Sequence, residues 1–300
     1  MRRTLVAITA ILASATLTLT ACGGDSTSTN GEPTIVTSTD VWGSVASAVA
    51  GDHAQVTTLF NTPGADPHEF EPSPSDTAKV ADARIVLING GHYDQYLESA
   101  PKADDATVIN AFDQLPESVR SAKEGEVNEH VFYNLVVVHT VADKLAEALA
   151  AKDEKNAAAY RANAQKFGTA IDGLIAKLDA IKKNHNGTKV AQTEPLATYL
   201  LADAGLIDAA PTGFTAAVEE GQSPSAADRA KFEDLLTGHE VHALLYNTQA
   251  VDSVTEAVLA IAQKTSVPVV KLTETLPDGI TDYVAWQTAQ IDAIAKAVGA

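Results

Sequence analysis

The sequence predicts an α/β protein of two related lobes, each on a parallel sheet, joined by a long rigid connecting helix. Three observations predict it. A segment that opens a helix on Ser-Pro and leads to an apolar strand ending in Asn occurs twice, far apart. Those two strands are apolar runs of the kind buried in parallel sheets, and helical patterns lie between the strand candidates. Between the two segments, residues 138–183 hold no Pro and no Gly except Gly168 and Gly173, and their apolar residues recur at steps of three and four.

The first copy runs Glu71-Pro72-Ser73-Pro74-Ser75-Asp76, then the strand 84–89 ending at Asn89. The second runs Gln222-Ser223-Pro224-Ser225, then the strand 242–247 ending at Asn247. Ser73 and Ser223 are the expected N-caps, and Pro74 and Pro224 suit the first helical position. Further strands are expected over 34–39 and 55–60 in the first lobe, and over 189–193 and 267–272 in the second. The connecting stretch carries Val138, Val141, Leu145 and Leu149, then Tyr160, Phe167, Ile171, Leu174, Leu178 and Ile181. A break is expected over 153–156, with Gly187 as C-terminal cap.

Residues 1–21 read as a lipoprotein signal peptide. Arg2 and Arg3 precede an uncharged run over 4–20, too short and small-sided for a membrane span. The run closes on Leu19-Thr20-Ala21-Cys22, which resembles the bacterial lipobox and implies a lipid anchor on Cys22. Cys22 is the sole cysteine, so no disulfide closes within the chain. Residues 22–33, rich in Gly, Ser and Thr, read as a flexible tether. The expected organisation is then an N-terminal lobe over 34–135, a helical connector over 136–186 and a C-terminal lobe over 187–300. Arg2 and Arg3 are the only charges ahead of Cys22, so the chain beyond it is two charges more acidic than the formal −18 of the whole. That balance opposes nucleic acid as a partner and favours cations without selectivity.

In open parallel sheets, ligands bind beyond the carboxyl ends of the strands. Three capable residues fall in such places, and a fourth precedes the long helix. His68 lies in Asp66-Pro67-His68-Glu69-Phe70, Glu194 in Glu194-Pro195, Glu274 in Thr273-Glu274-Thr275, and His130 just ahead of the long helix. Two imidazoles and two carboxylates suit a divalent ion such as Mn2+, Fe2+ or Zn2+. Each also has a structural reading. His68 is a loop residue beside a turn-forming proline, His130 sits at a helix start, and Glu194 and Glu274 suit the first turn of helices.

The segment 66–74 resembles the first ligand motif of the cluster A-I (cluster 9) metal-binding lipoproteins, the zinc- and manganese-binding solute-binding proteins of bacterial ABC importers. Ala81-Asp82-Ala83-Arg84 with Asn89-Gly90, Asn128-Glu129-His130-Val131-Phe132, Thr193-Glu194-Pro195 and Thr273-Glu274-Thr275 extend the similarity over the body of the chain. The resemblance implies one divalent ion, Mn2+ or Zn2+, held by His68, His130, Glu194 and Glu274. It also implies ABC permease subunits as partners, a monomer anchored at the extracytoplasmic face of the cell membrane through Cys22, and no enzymatic activity. Asn128-Glu129 stands where the family usually has Asp-Pro, Phe132 where it has Trp, and Glu274 where Asp is commoner. Residues 117–129 lack the His-rich loop of many zinc members, which together with Glu194 leans towards manganese or iron.

The remaining histidines are weaker candidates. His92 follows a strand end and lines the cleft at most. His139 belongs to the long helix, and His53 and His185 read as loop residues. His239-Glu240-Val241-His242 has its second histidine one residue too early for a zinc-protease helix and reads as a turn before a strand. No Gly-rich phosphate loop or nucleophile elbow occurs. Two other functions fit the residues less well. A secreted metallo-enzyme would need an open coordination position. A receptor for an organic metal chelate would need more aromatic surface than the 5% present here.

Overall fold

The computed structural model describes residues 32–120 and 128–300. The signal peptide, Cys22 and nearly all of the tether lie outside them, as does part of the segment 117–129. The first lobe comprises β1 (Thr34–Thr39), α1 (Asp40–Ala50), β2 (Gln55–Phe60), α2 (Pro74–Asp82), β3 (Ile85–Ile88), α3 (Gln95–Ser99), β4 (Thr107–Asn110) and α4 (Glu117–Arg120). Two helices follow, α5 (Leu135–Lys152) and α6 (Ala157–His185). The second lobe holds β5 (Lys189–Gln192), α7 (Thr198–Asp203), β6 (Ile207–Asp208), α8 (Thr212–Glu219), α9 (Ala226–Thr237), β7 (Leu244–Asn247), α10 (Ser253–Lys264), β8 (Val269–Leu272) and α11 (Tyr283–Val298).

Each lobe carries a four-stranded, all-parallel sheet. The orders are β2-β1-β3-β4 and β6-β5-β7-β8, so the second sheet repeats the first strand for strand. Central strands β3 and β7 are buried throughout, which explains their unbroken apolar sequence. The edge strands β4 and β6 have no counterpart among the sequence expectations. They are short and half-exposed, with Val108 and Ile207 open to solvent, so they lack a distinct pattern. Helix α11 was likewise not anticipated.

The helix starts show one correction. Ser73 caps α2 in a reciprocal box with Asp76, and Pro74 takes the first helical position, as expected. In the second lobe the cap is Ser225, not Ser223, and Pro224 stays outside the helix. Asp228, three residues after Ser225, donates its backbone N–H to the Ser225 hydroxyl at 3.1 Å, repeating the Ser73–Asp76 spacing two residues later than the Ser-Pro reading placed it.

Residues 135–185 form two helices rather than one rod. Asp153 ends α5, and α6 packs back along it. At 1.5 Å per residue, the 29 residues of α6 span about 43 Å. Helix α6 packs on α1 of the first lobe and on α7 and α11 of the second, and its stripe of Tyr160, Phe167, Ile171, Leu174, Leu178 and Ile181 is buried. One apolar core runs from α1 through α5 and α6 to α11, which makes the joint between lobes a packed solid. His185 ends α6 and is half-buried, as is His53, so neither is the exposed loop residue expected. Among the described residues no helix is long and apolar enough to cross a membrane.

Candidate metal centre

His68 sits in a single 3-10 turn, Pro67–Glu69, seven residues beyond β2. Asp66 fixes that turn by accepting the His68 backbone N–H at 2.8 Å. His130 starts the turn Val131–Tyr133 that leads into α5. Glu194 follows β5 and Glu274 follows β8. The four residues, one from each segment singled out in the sequence, offer donor atoms that all lie within 4.8 Å of one another. His130, Glu194 and Glu274 are buried, and His68 keeps 21% of its side chain exposed. The site therefore sits beneath His68, between the carboxyl ends of the two sheets.

Both imidazoles aim Nε2 at one atom. His68 Nε2 is 3.3 Å and His130 Nε2 3.6 Å from Glu274 Oε2, charge contacts that lack the alignment of a hydrogen bond. Glu194 Oε1 is also buried without a hydrogen-bond partner. Buried polar atoms are hydrogen-bonded as a rule, so three donor atoms without a hydrogen bond, gathered near one point, fit a cation site. A tetrahedral ion with bonds of about 2.0–2.1 Å sets its donors about 3.3 Å apart, which side-chain shifts of about an ångström would reach.

The outer groups hold these donors in place. Asn128 Oδ1 accepts from the His130 backbone N–H at 2.7 Å and faces His130 Nδ1 at 3.0 Å, which would keep a proton on Nδ1 when Nε2 gives up its own to ligate. The Asn128 amide also donates to the Pro195 carbonyl, and Tyr199 donates to the Asn128 carbonyl at 2.6 Å, tying the His130 segment to the Glu194 segment across the lobes. Glu129 lies 3.6 Å from His68 Nδ1 and Glu219 3.7 Å from His130 Nδ1. Tyr93 donates to Glu274 Oε2 at 3.0 Å and packs its ring against both imidazoles. Asn247 donates to both glutamates, and Gln249 Oε1 accepts the backbone N–H of Glu274 at 2.6 Å.

The electrostatics follow from burying two imidazoles among carboxylates. Burial opposes charge on His68 and His130, but contact with Glu274 and the charges of the neighbouring glutamates outweigh it. Their pKa values rise to about 10 and about 9. Burial and the Glu274 charge push Glu194 up, while Glu274, despite burial, is held down by the two imidazoles. Burial lifts Glu129 to about 7. The centre is thus a proton-loaded ion-pair cluster that would have to shed protons before its nitrogens could ligate an ion.

Of the other histidines, His92 is exposed, with Nδ1 2.8 Å from Gln95 Nε2, and lies outside the centre. His139 sits mid-α5 beside Asp143 and packs on Gly168 of α6. The 239–242 segment is a turn ahead of β7. Sequence reasoning did not assign Tyr93, Asn128, Glu129, Glu219 or Asn247 to the site. Asn247 carried a signal, being the strand-end Asn shared by both lobes. Glu219 carried none, since only the fold brings the end of α8 to His130.

Two parallel α/β lobes joined by a long helix, with a polar centre between them, define a two-lobe solute-binding protein. Over residues 35–297 the chain matches the family described as zinc-uptake complex component A, periplasmic, and it belongs to that family of solute-binding proteins. It is 30% identical over 153 residues to the manganese-binding lipoprotein MntA of Halalkalibacterium halodurans, covering 49% of each chain. It is 28% identical over 149 residues to the iron-binding protein YfeA of Yersinia pestis, covering 48% of this chain and 47% of that one. The chain thus spans about half the length of the curated relatives it matches. Two solved structures share the fold. One is FpvC of Pseudomonas aeruginosa in complex with Mn2+, with a TM-score of 0.73 and 23% identity, covering 89% of this chain and 98% of that one. The other is the laminin binding protein Lmb of Streptococcus agalactiae, with a TM-score of 0.74 and 20% identity, covering 89% and 99%.

Proposed function

We propose that the chain is the extracytoplasmic receptor of an ABC importer. It captures one divalent transition-metal ion, Mn2+ or Zn2+ with Fe2+ as third candidate, and delivers it to membrane permease subunits. His68 and His130 from one side and Glu194 and Glu274 from the other are its ligands. The observation that carries this reading is the convergence of four donor atoms within 4.8 Å, three of them buried without a hydrogen-bond partner. The names of the relatives support transition-metal cargo. The burial of three of the four ligands supports a bare ion over a bulky chelate. Four protein donors fill a tetrahedral ion and leave no position for an activated water, which supports binding without catalysis.

On this reading residues 1–21 are removed, Cys22 carries the lipid, and 22–33 tether a monomeric body. That body consists of an N-terminal lobe (34–135), a helical connector (136–186) and a C-terminal lobe (187–300). The test is metal content by mass spectrometry after stripping the protein and offering Mn2+, Fe2+ and Zn2+ in competition. One equivalent of metal, lost in His68→Ala and Glu194→Ala, is the expected result. Absence of stoichiometric metal, or uptake unchanged by both substitutions, would overturn it.

A further inference from the structure

We propose that Asn247 limits each glutamate to one metal-facing oxygen, so that the protein supplies four donor atoms and the site selects an ion content with four ligands. This rests on the metal reading above. Asn247 ends β7, is buried, and its Nδ2 donates to Glu194 Oε2 and to Glu274 Oε1, the latter at 2.8 Å. An amide nitrogen has two hydrogens, so both are committed, one to each carboxylate.

The amide cannot turn over. Its Oδ1 accepts the backbone N–H of Gln249 at 3.0 Å, and the Asn247 backbone N–H donates to Thr193 Oγ1 at 3.2 Å. A flipped side chain would set Oδ1 against two carboxylate oxygens and Nδ2 against the Gln249 N–H. The oxygens not held by Asn247 are Glu194 Oε1, which has no hydrogen-bond partner, and Glu274 Oε2, which accepts the Tyr93 hydroxyl at 3.0 Å and on which both imidazoles converge. Bidentate binding by either glutamate would have to turn the oxygen held by Asn247 towards the ion, against the direction in which that hydrogen bond fixes it.

A buried set of two nitrogens and two single oxygens is the tetrahedral pattern of Zn2+. Mn2+ favours six oxygen-rich positions, and here the buried surroundings hinder waters from supplying the missing ones. Asn247 therefore widens the preference for Zn2+ over Mn2+ beyond the intrinsic affinity order of the two ions.

The experiment measures Zn2+ and Mn2+ affinities by competition in the wild-type protein and in Asn247→Ala, with X-ray absorption to count ligand atoms around the bound ion. The substitution frees the second oxygen of both glutamates. The expected result is a fall of about tenfold or more in the Zn2+-to-Mn2+ affinity ratio, in the range that outer hydrogen bonds contribute at metal sites. More oxygen neighbours around Mn2+ in the variant are expected with it. Should Asn247→Ala fail to fold, Asn247→Ser, too short to span both carboxylates, is read the same way. An unchanged ratio, with both affinities falling together, would make Asn247 a support only and overturn the proposal. More than four ligand atoms around Zn2+ in the wild-type protein would overturn it without any variant. A wild-type protein that binds neither ion at one equivalent defeats the metal reading itself and is recognised before any ratio is measured.

Discussion

The two lobes share a strand order and a strand-end asparagine, yet they use that asparagine differently. In the first lobe, Asn89 accepts the Trp42 indole N–H at 3.1 Å and donates to the Glu129 carbonyl at 2.9 Å. It holds the backbone that presents His130 and touches none of the four candidate ligands. In the second lobe, Asn247 reaches Glu194 and Glu274 directly. The donors divide in the same way, with both imidazoles on the side of the first lobe and both carboxylates in the second. A repeated strand order thus offers two equivalent rims, and the chemistry differs because different residues stand on them. On the proposed reading the second lobe would supply charge that attracts a cation, and the first the nitrogens that favour transition metals over Mg2+ or Ca2+.

The sharpest way to break this division is to remove one donor from each side. Glu274 lies within 3.6 Å of both imidazoles, so Glu274→Gln should cost more than any other single change. Sharing the binding energy of a four-ligand site equally gives a loss of about a hundredfold or more per ligand. Isothermal titration should show Glu274→Gln weaker than His68→Ala. The reverse order would mean that the first lobe dominates capture.

The proton balance of the centre provides the second test. In the metal-free protein the pKa values of His68 and His130 are raised to about 10 and about 9, so both imidazoles are charged at neutral pH. Metal binding should release more than one proton, read from calorimetry in buffers of different ionisation enthalpy, and affinity should fall as pH falls. Stability of the metal-free protein should run the other way. Raised pKa values on the imidazoles, Glu129 and Glu194 mean that the folded state holds more protons than the unfolded chain once pH exceeds about 4.5, and for the imidazoles above about 6.5. Their stabilisation is complete in mild acid and is lost as pH rises towards about 10. Glu274, held down, stabilises above the ordinary carboxylate range and adds no slope there. Thermal melts of the stripped protein between pH 5 and 9 should therefore decline with pH, and saturating metal should flatten or reverse the trend.

Smaller effects separate the paired asparagines and the paired caps. Asn89→Ala leaves the Trp42 indole and the Glu129 carbonyl short of a partner, at a cost of about 1–3 kcal/mol in stability with the metal preference unchanged. Chemical denaturation together with the Zn2+-to-Mn2+ ratio measures both. A changed ratio in Asn89→Ala would erase the contrast with Asn247. Ser73→Ala and Ser225→Ala should each cost about 1 kcal/mol, with Ser73 the more costly because its box is reciprocal, and neither should alter metal binding.

Much of this architecture was legible along the chain. The central strands β3 and β7 are buried throughout and almost wholly apolar, and burial on both faces leaves a plain sequence signature. The edge strands β4 and β6 escaped notice because half-exposed strands of two to four residues carry too little pattern. The Ser-Pro echo misplaced one cap by two residues, since local chemistry allowed Ser223 and Ser225 alike and only the register of α9 separated them. His68, Glu194 and Glu274 were singled out by their strand-end positions, His130 by its place just ahead of the long helix, and all four by family resemblance. Their grouping needed the fold, because 206 positions separate the first from the last.

The sequence by itself determined the lobed α/β class, the repeat of one lobe in the other, and the type of atom each lobe brings to the centre. Those properties follow from local periodicity and residue identity, which need no knowledge of distant neighbours. Tertiary structure alone decided that α6 folds back along α5, that Glu129 and Glu219 face the imidazoles, and that Asn247 bonds both carboxylates. A glutamate at position 194 inclines a reader towards an oxygen-rich, manganese-type site. The bond from Asn247 removes one of its two oxygens from reach, and a hydrogen bond between residues 53 positions apart exists only once the chain has folded.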